Sequence, residues 1–155
     1  MSTGFNISKG KDAEFWDRVE QNDPANSVIV VMLLKVAEAD ATLEDYDTFA
    51  AILAGSNTEA DATSYVRITL DDTDLSSAAA VNDTDNRMEV TTPDVLFPTI
   101  GGASNNSIVK AVYGYDPDST GGTDANIVPL YAFDLSYTTS GVNFQINSGI
   151  IARTS

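Results

Sequence analysis

Residues 108–133 read IVKAVYGYDPDSTGGTDANIVPLYAF, two apolar runs on either side of a polar loop. The loop holds Asp116, Pro117, Asp118, Ser119, Gly121, Gly122 and Asp124. These residue types favour turns because they fix φ, tolerate positive φ or hydrogen-bond their own backbone. The spacing predicts a long-looped β-hairpin. Ile108, Val109, Ala111, Val112, Tyr113 and Tyr115 on one side, and Ile127, Val128, Leu130, Tyr131 and Phe133 on the other, are mostly β-branched or aromatic and fit a pleated surface. Both runs are nearly continuous rather than alternating, the pattern of central strands covered on both faces. Pro129 has no N–H, so it needs a bulge or a nitrogen turned away from any partner, which leaves the Leu130 strand fully paired on one side only.

Outward from the hairpin, the same strand chemistry recurs. Upstream, Asn22, Asp23 and Pro24 form a turn or helix-cap signal before SVIVVMLLKV (27–36). Helix and strand compete there. Four successive β-branched residues, Val28 to Val31, lose χ1 freedom in a helix, so a strand is expected. At Thr42 the period changes: Leu43, Tyr46, Phe49, Ala50 and Leu53 fall at helical spacing, with Thr42 as N-cap, Glu44 and Asp45 in the first turn and Gly55 as the stop. SYVRITL (64–70), RMEV (87–90), VLFPTI (95–100), VNFQIN (142–147) and GIIAR (149–153) add short strands. Pro93, Gly101, Gly102, Gly141 and Gly149 divide them. About eight or nine strands with one short helix describe a mainly β chain, a single β-sandwich or jelly roll.

That domain is expected to span 25–155, preceded by an arm, 1–24, with no sustained period. Within the arm, DAEFWDRVEQ (12–21) suits two helical turns with Asp12 as N-cap and Phe15, Trp16 and Val19 on one side. Two readings stay open. Trp16 folds back onto the domain, or the arm's apolar residues anchor on a neighbouring subunit.

Composition limits the function. The chain has 155 residues, 43% of them hydrophobic, enough for one ordinary core. No apolar run approaches the roughly 20 residues that cross a bilayer, and none resembles a signal peptide. Eight basic against 23 acidic residues give a net charge of −15, which repels nucleic acid and anionic membranes. With no cysteine and no histidine, disulfides, Cys- or His-built zinc sites, Cys–His and Ser–His–Asp nucleophiles and imidazole switches are excluded.

Carboxylate chemistry remains open in principle. Asp116, Asp118 and Gly121 match the first, third and sixth positions of a calcium loop, but the fifth is Thr120 and the twelfth is Ile127, so the bidentate glutamate is missing. Asp83 and Asp85 lack the glycine, and solvated turns are the expectation for both loops. A glycosidase needs two carboxyl groups in one cleft, one with a raised pKa. The acids here cluster in turns beside Ser, Thr, Asn and Gly, so no catalytic site, cofactor or metal is expected.

Several landmarks in this order resemble a family of small β-sandwich virion proteins of tailed bacteriophages. They are the Asn22–Ala25 turn before an apolar strand, TLEDYDTFAA (42–51), the Tyr-containing strand 64–70, DTDNR (83–87), YDPDSTGGTDA (115–125) and PLYAFD (129–134). The resemblance covers the chain from about Asn22 onward. It implies a non-enzymatic structural protein similar to capsid decoration or cement proteins. Such a protein would bind the major capsid protein on the virion surface after assembly in the host cytoplasm, as a homo-oligomer, with a trimer matching icosahedral local threefolds. Tail, neck and host-attachment proteins of this kind are the alternative. For the contacts, Phe5, Ile7, Phe15 and Trp16 in the arm and Ile150 and Ile151 in the last strand are the candidates. A host-attachment protein would instead expose Tyr113, Tyr115 or Tyr131 beside carboxylates as a sugar platform; their place in apolar runs makes them core residues.

Overall fold

A computed structural model of the chain describes residues 4–7, 12–76 and 78–154. Its first half holds β1 (Gly4–Asn6), α1 (Asp12–Glu20), β2 (Val28–Val36), α2 (Asp40–Leu43), α3 (Phe49–Ala54), β3 (Thr58–Glu59) and β4 (Ile68–Leu70). Then come β5 (Ala79–Asn82), β6 (Arg87–Thr92), β7 (Val95–Ile100), β8 (Ser107–Asp116), β9 (Val128–Thr138), β10 (Val142–Ile146) and β11 (Gly149–Thr154). The chain is mainly β, as its residues predict, with more elements than the turn signals mark out.

The long hairpin and β2 form the middle of a six-stranded antiparallel sheet ordered β1-β9-β8-β2-β3, with β4 also pairing β2. The β2–β8 register runs from Val28↔Asp116 to Leu34↔Lys110 without interruption. In β2 the strand expectation holds, and the reason for its unbroken apolar run is visible. Ile29, Val31 and Leu33 enter one core, while Val28, Val30, Met32 and Leu34 enter another. A central strand covered on both sides has no face for polar residues. Pro129 lies opposite Gly114 where the β8–β9 register shifts, a bulge that spares the ladder the missing N–H.

One face of this sheet packs against two smaller sheets, β10-β7 and β11-β6-β5, through Leu70, Val90, Val95, Phe97, Ile100 and Ile146. This makes a β-sandwich, closed at one side by α1. The other face is covered by α2 and α3 through Leu43, Phe49 and Ile52. Gly114 is required here: a Cβ on it would stand 2.4 Å from Phe49 Cε1.

The predicted helix from Thr42 is interrupted. α2 ends at Leu43, and α3 starts after Thr48, whose hydroxyl accepts from Ala51 N at 3.1 Å. The physical cause is tertiary. The first-turn N–H groups of α3 donate to the hairpin loop, Phe49 N to Ile127 O at 3.0 Å and Ala50 N to Asp124 O at 2.9 Å, so the helix restarts where the loop can cap it. Gly55 closes α3 as expected. SYVRITL forms a strand only over its last three residues, because Tyr65 serves another purpose. Between the short β3 and β4, the Leu33 N–H of β2 donates to the Tyr65 hydroxyl at 3.0 Å, and that hydroxyl donates to Glu59 Oε1 at 2.9 Å.

The described parts of the leading segment are built into these layers. β1 pairs β9 with Phe5 opposite Ala132, and Ile7 N donates to Leu130 O at 2.8 Å. The helix expected from DAEFWDRVEQ is present, with Asp12 as its first residue.

Candidate functional site

Five described cationic side chains are each paired with the chain's own carboxylates. Arg18 meets Glu14, Lys35 meets Asp61, and Arg67 meets Glu59 and Asp124. Arg87 meets Asp85 and Glu89, and Lys110 meets Asp40 and Asp134. Lys110 is the most buried, with its side chain 4% exposed. Its ammonium donates to Asp40 Oδ1 at 2.8 Å and to Asp134 Oδ1, under the Phe5 ring 4.9 Å away. That arrangement ties α2, β9 and β1 to β8, since a buried ammonium must be paired and hydrogen-bonded. A cleft of about 370 Å³ beside it is lined by Lys35, Glu38, Asp40, Val109, Lys110 and Asp134, among others.

Arg67 forks between Glu59 Oε2 at 2.7 Å and Asp124 Oδ2 at 3.1 Å, with its guanidinium 5.6 Å from the Phe49 ring centroid. Glu59 foremost holds its pKa above the ordinary arginine value, and its hydrogen bonds in turn lower that of Asp124. Glu38 is lowered mainly by the Tyr46 hydroxyl, which donates to it at 2.7 Å. Asp61 is lowered first by Lys35, and Asp118 first by Thr120. All four carboxyl shifts are downward, whereas a general acid needs one upward.

The acidic hairpin loop serves its own backbone. Asp116 Oδ1 accepts from Asp118 N at 3.0 Å, and Asp118 Oδ1 from Thr120 N at 3.0 Å and from Thr120 Oγ1 at 2.6 Å. Among the described residues no group of three or more carboxylates is placed to hold a metal ion.

The six residues proposed for subunit contacts separate into two sets. Ile7 and Trp16 lie in the chain's own cores, 3% and 0% exposed, so their expected contact with a neighbour gives way to packing within the chain. Phe15 stacks on Tyr115 at 4.7 Å, and Phe5 covers Lys110. Ile150 is 44% exposed, while Ile151 is half-buried. Both line a groove of about 250 Å³ with Tyr113, Tyr131 and Phe133. Tyr113 and Tyr115 are buried, and Tyr131 is half-buried.

The feature that sequence reasoning missed is a pattern of absence. Residues 95–109 and 135–152 contain no Asp, Glu, Lys or Arg, in a chain that is 20% charged. The fold joins the two stretches. β7 pairs β10 with Phe97 opposite Phe144 and Val95 opposite Ile146, and Ser107 lies opposite Thr138 at the start of the β8–β9 ladder. Thr99 N donates to Asn143 Oδ1 at 3.0 Å, Asn106 N to Thr139 Oγ1 at 2.8 Å and Gly141 N to Ile100 O at 2.9 Å. Gly101, Gly102 and Gly141 take positive φ of 99°, 103° and 83°, which lets the two turns close on each other; a Cβ on Gly141 would stand 3.2 Å from Gly102 Cα. Leu96, Val109 and Val142 of these stretches are 44%, 36% and 55% exposed. Charged side chains still reach these stretches: Asp94 accepts from Gln145 Nε2, opposite Leu96, at 3.0 Å, Asp61 from Asn106 Nδ2 at 3.0 Å, and Val109 lines the cleft beside Lys110.

Comparison with known proteins found no matching family model, curated protein or solved structure. The candidate site is therefore defined by this geometry alone. It is a pair of strands whose own residues carry no charge from 95 to 100 and from 142 to 146, with Leu96 and Val142 exposed and Asp94 bonded to Gln145 beside them.

Proposed function

We propose that this chain is a non-enzymatic structural protein of a phage virion, of the capsid decoration or cement type, which binds the major capsid protein on the assembled head. The observation that carries the proposal is the segregation of charge. The five described cationic side chains are paired with the chain's own carboxylates, most other carboxylates lie in turns, and the exposed Leu96 and Val142 lie on paired strands that carry no charged residue of their own. Such a division suits a body that adheres by burying surface rather than one that transforms a ligand. The β-sandwich supports the same reading, because sheets in register make a stiff tile that can repeat in a symmetric shell. Acidity keeps a densely displayed protein soluble and repels nucleic acid.

The test is cosedimentation of the full chain with shells assembled from the major capsid protein. Saturable binding at a fixed ratio to capsomers, with shells that survive higher temperature once bound, is the expected result. If the chain ignores shells but binds purified tails or host cells, decoration is wrong and the tail or host-attachment reading replaces it. A truncation of the leading residues is a poor probe, because Trp16 and Val19 belong to the core.

A further inference from the structure

We propose that Lys110 and Asp134 condense with each other, so that the folded chain carries an amide cross-link between β8 and β9. The bond lies within a single chain, and its presence does not depend on the assembly reading.

Lys110 and Asp134 stand directly opposite on the β8–β9 ladder. Opposed residues on antiparallel strands hold their Cβ atoms about 4.5–5.5 Å apart, and Lys110 Nζ touches Asp134 Oδ1. The lysine side chain is 4% exposed and lies under the Phe5 ring, whose centroid is 4.9 Å from Nζ. Asp40 Oδ1 stands 2.8 Å from the same nitrogen. A flexible amine is thus confined against one carboxyl group with a second carboxylate beside it. In well-oriented intramolecular reactions such confinement equals an effective concentration of about 10⁵–10⁸ M, which opposes the bulk water that keeps free amines and acids apart. Condensation also removes a charge pair whose cation the fold has to desolvate. The other described cations lack this setting. Arg18, Arg67 and Arg87 are guanidinium ions that keep their proton, and Lys35 is 25% exposed against an Asp61 that is 69% exposed.

The ammonium and the carboxylate together hold the atoms of one amide and one water. Asp40 accepts a proton from the Lys110 ammonium, which frees the nitrogen lone pair. That lone pair attacks Asp134 Cγ, and a tetrahedral adduct forms. The adduct breaks a Cγ–O bond while the two protons shed by the nitrogen end on the departing oxygen, one of them returned by Asp40. An N–Cγ bond has replaced a C–O bond, water has left, and Asp40 is again a carboxylate. The Asp134 side chain is 57% exposed, so the water has solvent to leave into. The chain has no cysteine and hence no disulfide; this bond is a covalent tie that keeps β8 from parting from β9.

The experiment is intact-mass spectrometry of the full chain under denaturing conditions, for wild type, Lys110→Arg and Asp40→Asn. Wild type is expected to be lighter than its sequence by one water. Lys110→Arg keeps the charge and its pairing but cannot form the amide, and should have its full sequence mass. Chymotrypsin cuts after aromatic residues, so from wild type it should release the peptide of Lys110 still joined to that of Asp134. Asp40→Asn should slow the loss of water after refolding by about 100-fold or more, the scale of a lost proton relay.

A wild type at its full sequence mass overturns the proposal. So does a loss of water that persists in Lys110→Arg, or one found only in linear peptides, the mark of a dehydrated side chain elsewhere. Asp40→Asn that condenses at the wild-type rate refutes the relay assigned to Asp40. Shell binding is read separately and moves with none of these outcomes.

Discussion

Replacing Trp16 with alanine separates the two readings of the leading segment. Its side chain is 0% exposed, packed with Val19, Val90 and Tyr113 in the larger core, its ring 6.4 Å from that of Tyr113. Burying an aromatic of this size removes about 150–250 Å² from water, and at about 25 cal/mol per Å² this is about 4–6 kcal/mol. Measured Trp-to-Ala losses of about 3–5 kcal/mol agree. In a chain of 155 residues, that loss lowers Tm by about 6–20 °C. The assay is thermal and urea unfolding followed by circular dichroism, with an unchanged urea m-value showing that stability alone moved. Trp16 Nε1 is buried and has no hydrogen-bond partner among the described residues. Trp16→Phe therefore removes an unpaired donor as well as volume, and should cost no more than about 2 kcal/mol. A Trp16→Ala protein that melts with wild type but fails to join a neighbour or a shell would refute the core assignment and restore the arm.

Thr48→Ala should cost about 1 kcal/mol by uncapping α3, while Thr42→Ala stays within about 0.5 kcal/mol; urea midpoints read both. Gly114→Ala places a methyl 2.4 Å from Phe49 Cε1 and 2.8 Å from Ile127 Cγ2. It should lose about 1–3 kcal/mol, partly regained with Phe49→Leu, and additive losses would show that the two sites do not meet. The Asp124 carboxyl has a folded-state pKa below its unfolded value, first through the Arg67 hydrogen bonds. Its contribution is therefore complete above the unfolded value of about 3.9 and is lost as pH falls through the lower folded one. Asp124→Asn should thus be less stable than wild type at pH 7, with the gap closing below about pH 4; a gap independent of pH would exclude the ion pair as its source.

The sequence by itself determined the central hairpin, the strand character of Val28–Val36 and the mainly β class. These follow from side-chain shape and turn chemistry, which act over a few residues. It also excluded thiol and imidazole chemistry by composition. Tertiary structure decided the rest. The break in the Thr42 helix depends on carbonyls of Asp124 and Ile127, more than 70 residues away in the chain, which no local period contains. The burial of Ile7 and Trp16 depends on which sheet face each segment reaches, and an apolar residue on a short segment fits a chain's own core as well as a neighbour's. The pairing of the two uncharged stretches was half legible: they can be read off the sequence as gaps in charge, but only the pairing of β7 with β10 brings them together. Hydrogen bonds between strands far apart in the chain set that pairing, because a strand's edge carries no address that its own side chains spell out.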